Sequence, residues 1–254
     1  MLRILALTFF ASAVAHAALA SPPPPDPDQM ESALIQASNG FRAENGLRVL
    51  RRDDRLSAEA RGFAEYLART NAFSHTADGR EPSDRAEAAG YDYCELAENI
   101  AFVADSSGMT LETAVRRLMA GWEASPGHRR NLLNTMVTDT GVGVALAPGG
   151  DHKYLAVQEF GLPSSARYSF RIENRTDVAV GYVLEGEHRQ LPPHTIAVHS
   201  PCVPVDIAFD GAMAVGQRRF AVATGATYVL SPALKGVQIE VQQRPRPSGR
   251  LDEN

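Results

Sequence analysis

The stretch Ser125-Pro126-Gly127-His128-Arg129-Arg130-Asn131-Leu132-Leu133-Asn134 predicts a short helix that carries a histidine in its first turn. Ser125 favours the N-cap and Pro126 the first helical position, because the missing N–H of proline would have no partner there. The free N–H groups and the positive end of the helix dipole then disfavour a charged His128 ring. We expect a neutral imidazole, which either binds a metal or accepts a proton, or simply packs at the helix start.

Amphipathic helices are predicted upstream of this histidine. Apolar residues recur at helical spacing in Asp28–Asn45, Leu56–Thr70 and Thr110–Ala124, and a shorter helix is predicted for Pro82–Ala89. Downstream, two apolar runs at residues 140–146 and 154–160 flank a Pro-Gly-Gly turn and predict a pair of strands. The order favours an α+β fold in which helices pack on an antiparallel sheet.

Two further polar residues stand in apolar surroundings. His75 lies shortly after Phe73, at the exit of the second predicted helix, and Glu98 precedes an apolar run that begins at Ile100. A buried carboxylate needs a cation, a metal or hydrogen-bond donors. Glu98 therefore has either a purely structural partner, such as an arginine or the backbone, or a functional one.

Several of these motifs occur together in an order that resembles a known family. The chain contains Phe73-Ser74-His75, Ala97-Glu98-Asn99-Ile100, Trp122 followed by Ser125-Pro126-Gly127-His128-Arg129 and Asn131-Leu132-Leu133-Asn134, and then Gly141-Val142-Gly143-Val144. This set is similar to the CAP superfamily of cysteine-rich secretory proteins, antigen 5 and pathogenesis-related proteins, and is closest to its bacterial SCP-like branch. The resemblance extends over residues 28–161.

The resemblance implies an α-β-α sandwich with a central cleft that holds two histidines and two glutamates, sometimes with a divalent metal such as zinc. His75 and His128 match the two histidines, which would be the metal ligands, and Glu98 matches the first glutamate. Ser125 stands where many relatives have the second glutamate. The nearest acidic candidate is Glu123, which a helix would turn about 200 degrees away from that position.

The chain changes character after residue 161, where short alternating apolar runs replace helical periodicity. Six or seven strands predicted in residues 166–243 indicate a small all-β sandwich or barrel. The CAP-like domain is thus assigned to residues 28–162 and a disordered tail to residues 244–254. His188, His194 and His199 lack a second ligand at coordination spacing, so surface or packing roles are expected for them.

The N-terminus predicts export from the cytoplasm. Residues 1–20 form a basic lead, an apolar core and a small-x-small site, as in a signal peptide cleaved after Ala20, and residues 21–27 form a proline-rich spacer. The apolar core is too short for an ordinary transmembrane helix, so no membrane anchor is expected after cleavage. We therefore expect a secreted or periplasmic protein.

Cysteine content and charge add two expectations. Cys94 and Cys202 are too few for a disulfide framework, but in an oxidising compartment they either form one bridge between the two halves or remain free thiols. The formal net charge of −5 shows no basic excess, which argues against nucleic-acid binding. The sequence does not specify the oligomeric state.

Three functions remain open, and the sequence does not decide whether the protein is an enzyme. The first is a secreted module that binds a small apolar, lipid or envelope-derived ligand, in the cleft or in an adjoining apolar groove. The second is a zinc-assisted hydrolase of peptide or cell-wall substrates, with His75 and His128 as ligands and Glu98 as ligand or general base. The third is a structural or adhesive protein that acts through its β half.

Overall fold

The computed structural model describes residues 24–210 and 218–243. The predicted signal peptide at residues 1–20, residues 21–23 of the predicted spacer and the predicted tail at residues 244–254 lie outside the described residues. None of the described helices is both long and apolar enough to cross a membrane.

Among the described residues, five α-helices lie in the first half of the chain, close to the predicted positions. They are α1 (Pro27–Glu44), α2 (Asp54–Thr70), α3 (Pro82–Ala88), α4 (Leu111–Ala124) and α5 (Pro126–Leu132). Thr110 caps α4 as its sequence predicts, since its side chain accepts a hydrogen bond from the Thr113 N–H. Ser125 has the extended N-cap conformation, but its side chain makes no capping hydrogen bond. The start of α5 therefore depends on Pro126 and on packing.

A four-stranded sheet separates these helices into two layers. Its strands are β1 (Arg51–Arg52), β2 (Tyr93–Val103), β3 (Asp139–Leu146) and β4 (Tyr154–Pro163), in the order β1-β3-β4-β2. Helices α1, α4 and α5 share a buried core with one face of the sheet, and α2 shares a core with the other. The predicted α+β class and α-β-α sandwich are confirmed. Strand β2 was not predicted, because Glu98 and Asn99 interrupt its apolar pattern.

Two glycines of β3 let α2 lie directly against the sheet. A Cβ atom at Gly141 would overlap the backbone of Leu56 and Ser57, and one at Gly143 would overlap the backbone of Ala60 and Arg61. The small residues in the Gly-Val-Gly-Val motif are thus required by helix-to-sheet contact. This close approach also sets the height of α2 above the cleft residues on β2 and β4.

The described residues of the C-terminal half form two four-stranded sheets, in the orders β10-β9-β6-β7 and β12-β11-β5-β8. The strands are β5 (Phe170–Asn174), β6 (Val180–Leu184), β7 (Glu187–Leu191), β8 (Ile196–His199), β9 (Asp206–Phe209), β10 (Arg219–Ala221), β11 (Ala226–Pro232) and β12 (Val237–Gln243). Both sheets contribute to one buried aromatic core that includes Phe170, Tyr182, Phe209 and Tyr228. Strand β7 was not predicted, because its first four residues are exposed and show no alternation of apolar and polar side chains.

The two predicted cysteines form a disulfide. Cys94 on β2 is bonded to Cys202, which lies between β8 and β9, so the bridge joins the first sheet to the C-terminal half. The three C-terminal histidines have the expected surface and packing roles. His199 packs on Phe170 and contacts the Tyr182 hydroxyl at 2.9 Å, whereas His188 and His194 are exposed beside aspartates.

Candidate functional site

The candidate site is centred on Glu98, on the face of β2 that points toward α2. Its side chain is buried, and both carboxylate oxygens are engaged. Oε1 lies 2.6 Å from Nδ1 of His75, and Oε2 accepts a hydrogen bond of 2.5 Å from Nη2 of Arg85. The sequence left open whether Glu98 has a structural or a functional partner. The structure provides both, a structural arginine and a histidine of the cleft.

Arg85, on α3, connects this carboxylate to its surroundings. Its Nε donates to Glu59 Oε1 at 2.7 Å, and its Nη1 donates to the backbone oxygen of His75 at 2.9 Å and to Asp78 Oδ1 at 3.2 Å. The guanidinium also stacks over the Phe63 ring at 3.6 Å. Arg85 is almost fully buried, so these bonds fix the loop that carries His75 onto α2 and β2.

A third carboxyl group, that of Glu159 on β4, completes the cluster. Glu159 is the register partner of Glu98 and is fully buried. Burial, together with the nearby charges of Glu59 and Glu98, raises the pKa of Glu159 well above its usual range. Burial also raises the pKa of Glu59.

Sequence reasoning missed Glu59, Arg85 and Glu159. A signal existed for one of them, because Glu59 lies three residues after Leu56 and four before Phe63, on the apolar stripe of α2. A carboxylate within such a stripe must meet a partner in the core.

His128 approaches the same strand from α5. Its backbone oxygen accepts a hydrogen bond of 3.2 Å from the Asn99 side chain. Asn131 donates to Asn99 Oδ1 at 2.9 Å and to the Glu98 backbone oxygen at 3.2 Å. The two asparagines of the motifs therefore bind α5 to β2.

The two histidines have opposite electrostatic environments. Partial burial, and to a lesser degree the charge of His75, lowers the pKa of His128. The ring is therefore neutral near pH 7, as predicted, and burial is the first cause of the lowered pKa. The hydrogen bond to Glu98 raises the pKa of His75 against its partial burial.

Glu123 lies elsewhere, at a groove between α1 and α4. The groove has a volume of about 560 Å³. It is lined by the apolar residues Ala33, Ala37, Leu111, Val115, Met119 and Ala120 and by the polar residues Glu112, Arg116 and Glu123. None of His75, Glu98 and His128 lines this groove.

Among the side chains of the cleft, only the ring nitrogens of His75 and His128 are donor atoms that suit zinc. His75 presents Nδ1 to Glu98 and keeps Nε2 for another partner, as metal-bound histidines commonly do. The resemblance would make His75 and His128 the ligands, but neither ring belongs to a group of three potential ligand residues that the structure brings together within the described residues. Within residues 24–210 and 218–243, one group of three potential ligands has atoms within 4.8 Å of one another, and it consists of Glu59, Glu98 and Glu159.

Comparisons with known proteins agree with this architecture. The sequence profile of the Cysteine-rich secretory protein family (CAP) matches residues 35–160. The uncharacterised protein YkwD of Bacillus subtilis (strain 168) is 32% identical over 114 residues, which are 44% of this chain and 41% of that protein. The chain therefore spans about two fifths of that relative's length.

Two solved structures are each similar to about half of the chain. An extracellular protein containing an SCP domain from Bacillus anthracis str. Ames is 28% identical, with a TM-score of 0.44 over 54% of this chain and 41% of that one. An outer surface protein from Borrelia burgdorferi is 24% identical, with a TM-score of 0.43 over 54% of this chain and 93% of that one.

Proposed function

Because residues 35–160 of the chain belong to the cysteine-rich secretory protein (CAP) family, we propose that this protein is a secreted module that binds the apolar chain of a lipid in the α1–α4 groove. The groove itself is the observation that carries the proposal. Its volume of about 560 Å³ is within the range of small-ligand pockets, and most of its lining is apolar.

Small side chains create this groove. Ala33 and Ala37 on α1 and Ala120 on α4 leave open the space that larger residues would fill. Met119 lies beneath them, and a flexible thioether adapts readily to an apolar ligand. The groove therefore offers contact to an alkyl chain along both helices.

The rim supplies a cation for a lipid headgroup. Arg116 is exposed and pairs with Glu112 one turn away at 3.4 Å. Such an exposed pair contributes little to stability, so Arg116 can exchange Glu112 for a ligand's carboxylate or phosphate. We therefore expect a long-chain lipid with an anionic headgroup.

Filling the groove should abolish binding. We expect Ala37→Phe to weaken the affinity for a fluorescent long-chain fatty acid at least tenfold, because the ring occupies the space of the alkyl chain. Titration by fluorescence, with palmitate as a competitor, measures the effect. Ala43→Phe is the matched control, since Ala43 is exposed on the same helix and does not line the groove.

Either of two results would contradict lipid binding in this groove. The wild-type protein would fail to bind the fatty acid, or Ala37→Phe would bind it as tightly as Ala43→Phe does.

A second candidate function, hydrolysis, is favoured by the 2.6 Å contact between His75 and Glu98. A carboxylate that holds Nδ1 orients Nε2 toward a substrate, which is the arrangement of a catalytic histidine. With the pKa of His75 raised and that of His128 lowered, His75 would donate a proton and His128 would accept one. Alternatively, zinc held by the two rings would supply an activated water; the rings would then be ligands, and neither would transfer a proton. Adhesion through the β half stays a prediction.

An NMR titration tests the histidine pair. We expect the pKa of His75 to lie above that of His128, and Glu98→Gln to lower the pKa of His75. Because folding raises the pKa of His75, its contribution to stability is present below the unfolded-state pKa of about 6.5 and is lost as pH rises through the folded pKa. Equal pKa values, or peptide and glycan hydrolysis that is unchanged in His75→Ala and His128→Ala, would exclude the catalytic pair.

A further inference from the structure

Three buried carboxyl groups from three elements meet behind the His75 contact. Glu59 comes from α2, Glu98 from β2 and Glu159 from β4, and one oxygen of each lies within 4.8 Å of the others. The arrangement is built into the fold. Glu159 pairs with Glu98 on one side and with Gly141 on the other, and Gly141 is where α2 touches the sheet.

The hydrogen bonds of Arg85 do not satisfy this cluster. Arg85 uses one oxygen of Glu59 and one of Glu98, which leaves Glu59 Oε2 and both oxygens of Glu159 buried without a hydrogen-bond partner. Glu159 is completely buried, and its carboxyl group is aimed into the cluster. When a bound cation keeps all three carboxyl groups ionised, displacing the proton that burial favours on Glu159, one guanidinium leaves two negative charges unbalanced.

We propose that Glu59, Glu98 and Glu159 bind a calcium ion beside Arg85. The three donors are all carboxylate oxygens, which suit a hard cation better than zinc, whose usual ligands are nitrogen and sulfur. Calcium binds oxygen at about 2.3 to 2.6 Å, so one ion can bridge oxygens that lie within 4.8 Å of one another. The two positive charges of calcium would balance the two negative charges that the guanidinium of Arg85 leaves unbalanced.

The cluster also has a route to solvent. A cavity of about 590 Å³ opens between α2 and α3, and Glu59 and Arg85 are among the residues that line it. Asp78 and Tyr66 line the same cavity. An ion can therefore approach from the side opposite the α1–α4 groove. The site uses no groove residue, so it is independent of the proposed lipid binding; it shares Glu98 with the histidine pair of the second candidate function.

Calorimetric titration of the disulfide-intact protein with CaCl₂, after removal of metal with EDTA, tests this site. We expect one binding event, weakened at least tenfold in Glu159→Gln and in Glu59→Gln. Glu123→Gln is the control, because that carboxylate lies at the groove and should leave calcium affinity unchanged. We also expect calcium to raise the thermal midpoint of the wild type in a concentration-dependent way.

Three outcomes would overturn the calcium site. The first is a wild-type protein with no heat of binding and no thermal shift at about 10 mM CaCl₂, well above the range of weak extracellular calcium sites. The second is calcium affinity that survives in both glutamine variants. The third is affinity lost in His128→Ala but retained in Glu159→Gln. If Glu159→Gln does not fold, Glu59→Gln and the wild-type titration still decide the question.

Discussion

Arg85→Met should reduce the free energy of unfolding by about 3 to 5 kcal/mol, the usual cost of removing one partner from a buried ion pair. The side chains of Arg85, Glu59 and Glu98 are each no more than 3% exposed. Without the guanidinium, the carboxylates of Glu59 and Glu98 would lie close to each other and to Glu159, with no cation among them. The backbone oxygen of His75 also loses a donor, so the loop that carries His75 is released from α3.

Urea unfolding of the disulfide-intact protein measures this loss. Arg116→Met is the control, because Arg116 belongs to an exposed pair on α4 and its removal should change stability by less than about 1 kcal/mol. Arg85→Lys should restore little of the lost stability. The compact ammonium group of lysine cannot reach Glu59, Glu98 and the His75 backbone at once, as the planar guanidinium does. A loss below about 1 kcal/mol in Arg85→Met would mean that the carboxylates do not depend on the guanidinium.

The residues that the sequence identified at the cleft are those that stand in local motifs. His75, Glu98 and His128 each follow or precede a recognisable run of neighbours, and the structure places His75 in contact with Glu98. Arg85, Glu59 and Glu159 have no such local context. They meet because α2, α3 and β4 converge in space, and periodicity within one element cannot predict which side chains of separate elements become partners.

The same distinction applies to the fold. Helices were predicted close to their observed bounds because their apolar stripes and caps are local. Strands β2 and β7 were not, because a strand needs its neighbours to show which face is buried. In β2 the polar pair Glu98 and Asn99 is buried by partners from α3, α5 and the His75 loop.

The groove and the side chain of Glu98 lie on opposite faces of the same sheet. Met119, at the base of the groove, belongs to the core that α1, α4 and α5 share with one face. Glu98 points to the other face, where α2 packs. A ligand in the groove and an ion or substrate near Glu98 therefore share no side chain. Loss of lipid binding in Ala37→Phe with calcium affinity retained would show that the two sites act separately.

Gly143→Ala is expected to destabilise the protein by at least about 3 kcal/mol, at the upper end of the cost of overpacking a core. The added methyl group overlaps backbone atoms of Ala60 and Arg61, so α2 cannot yield by rotating a side chain and must move as a unit. That movement would separate Glu59 from Glu98 and Glu159. Calcium affinity should therefore fall in any fraction that still folds.

Gly62→Ala is the matched control for Gly143→Ala. Gly62 is exposed in the interior of α2, and a Cβ atom there meets no atom within 4 Å. Alanine should increase stability by up to about 1 kcal/mol, because it has the higher helix propensity. The two glycine-to-alanine changes at one helix-sheet unit thus have opposite expected signs, and urea unfolding distinguishes them. Equal stability of Gly143→Ala and the wild type would mean that α2 can move off β3 without cost, which would remove the basis for a fixed carboxylate cluster.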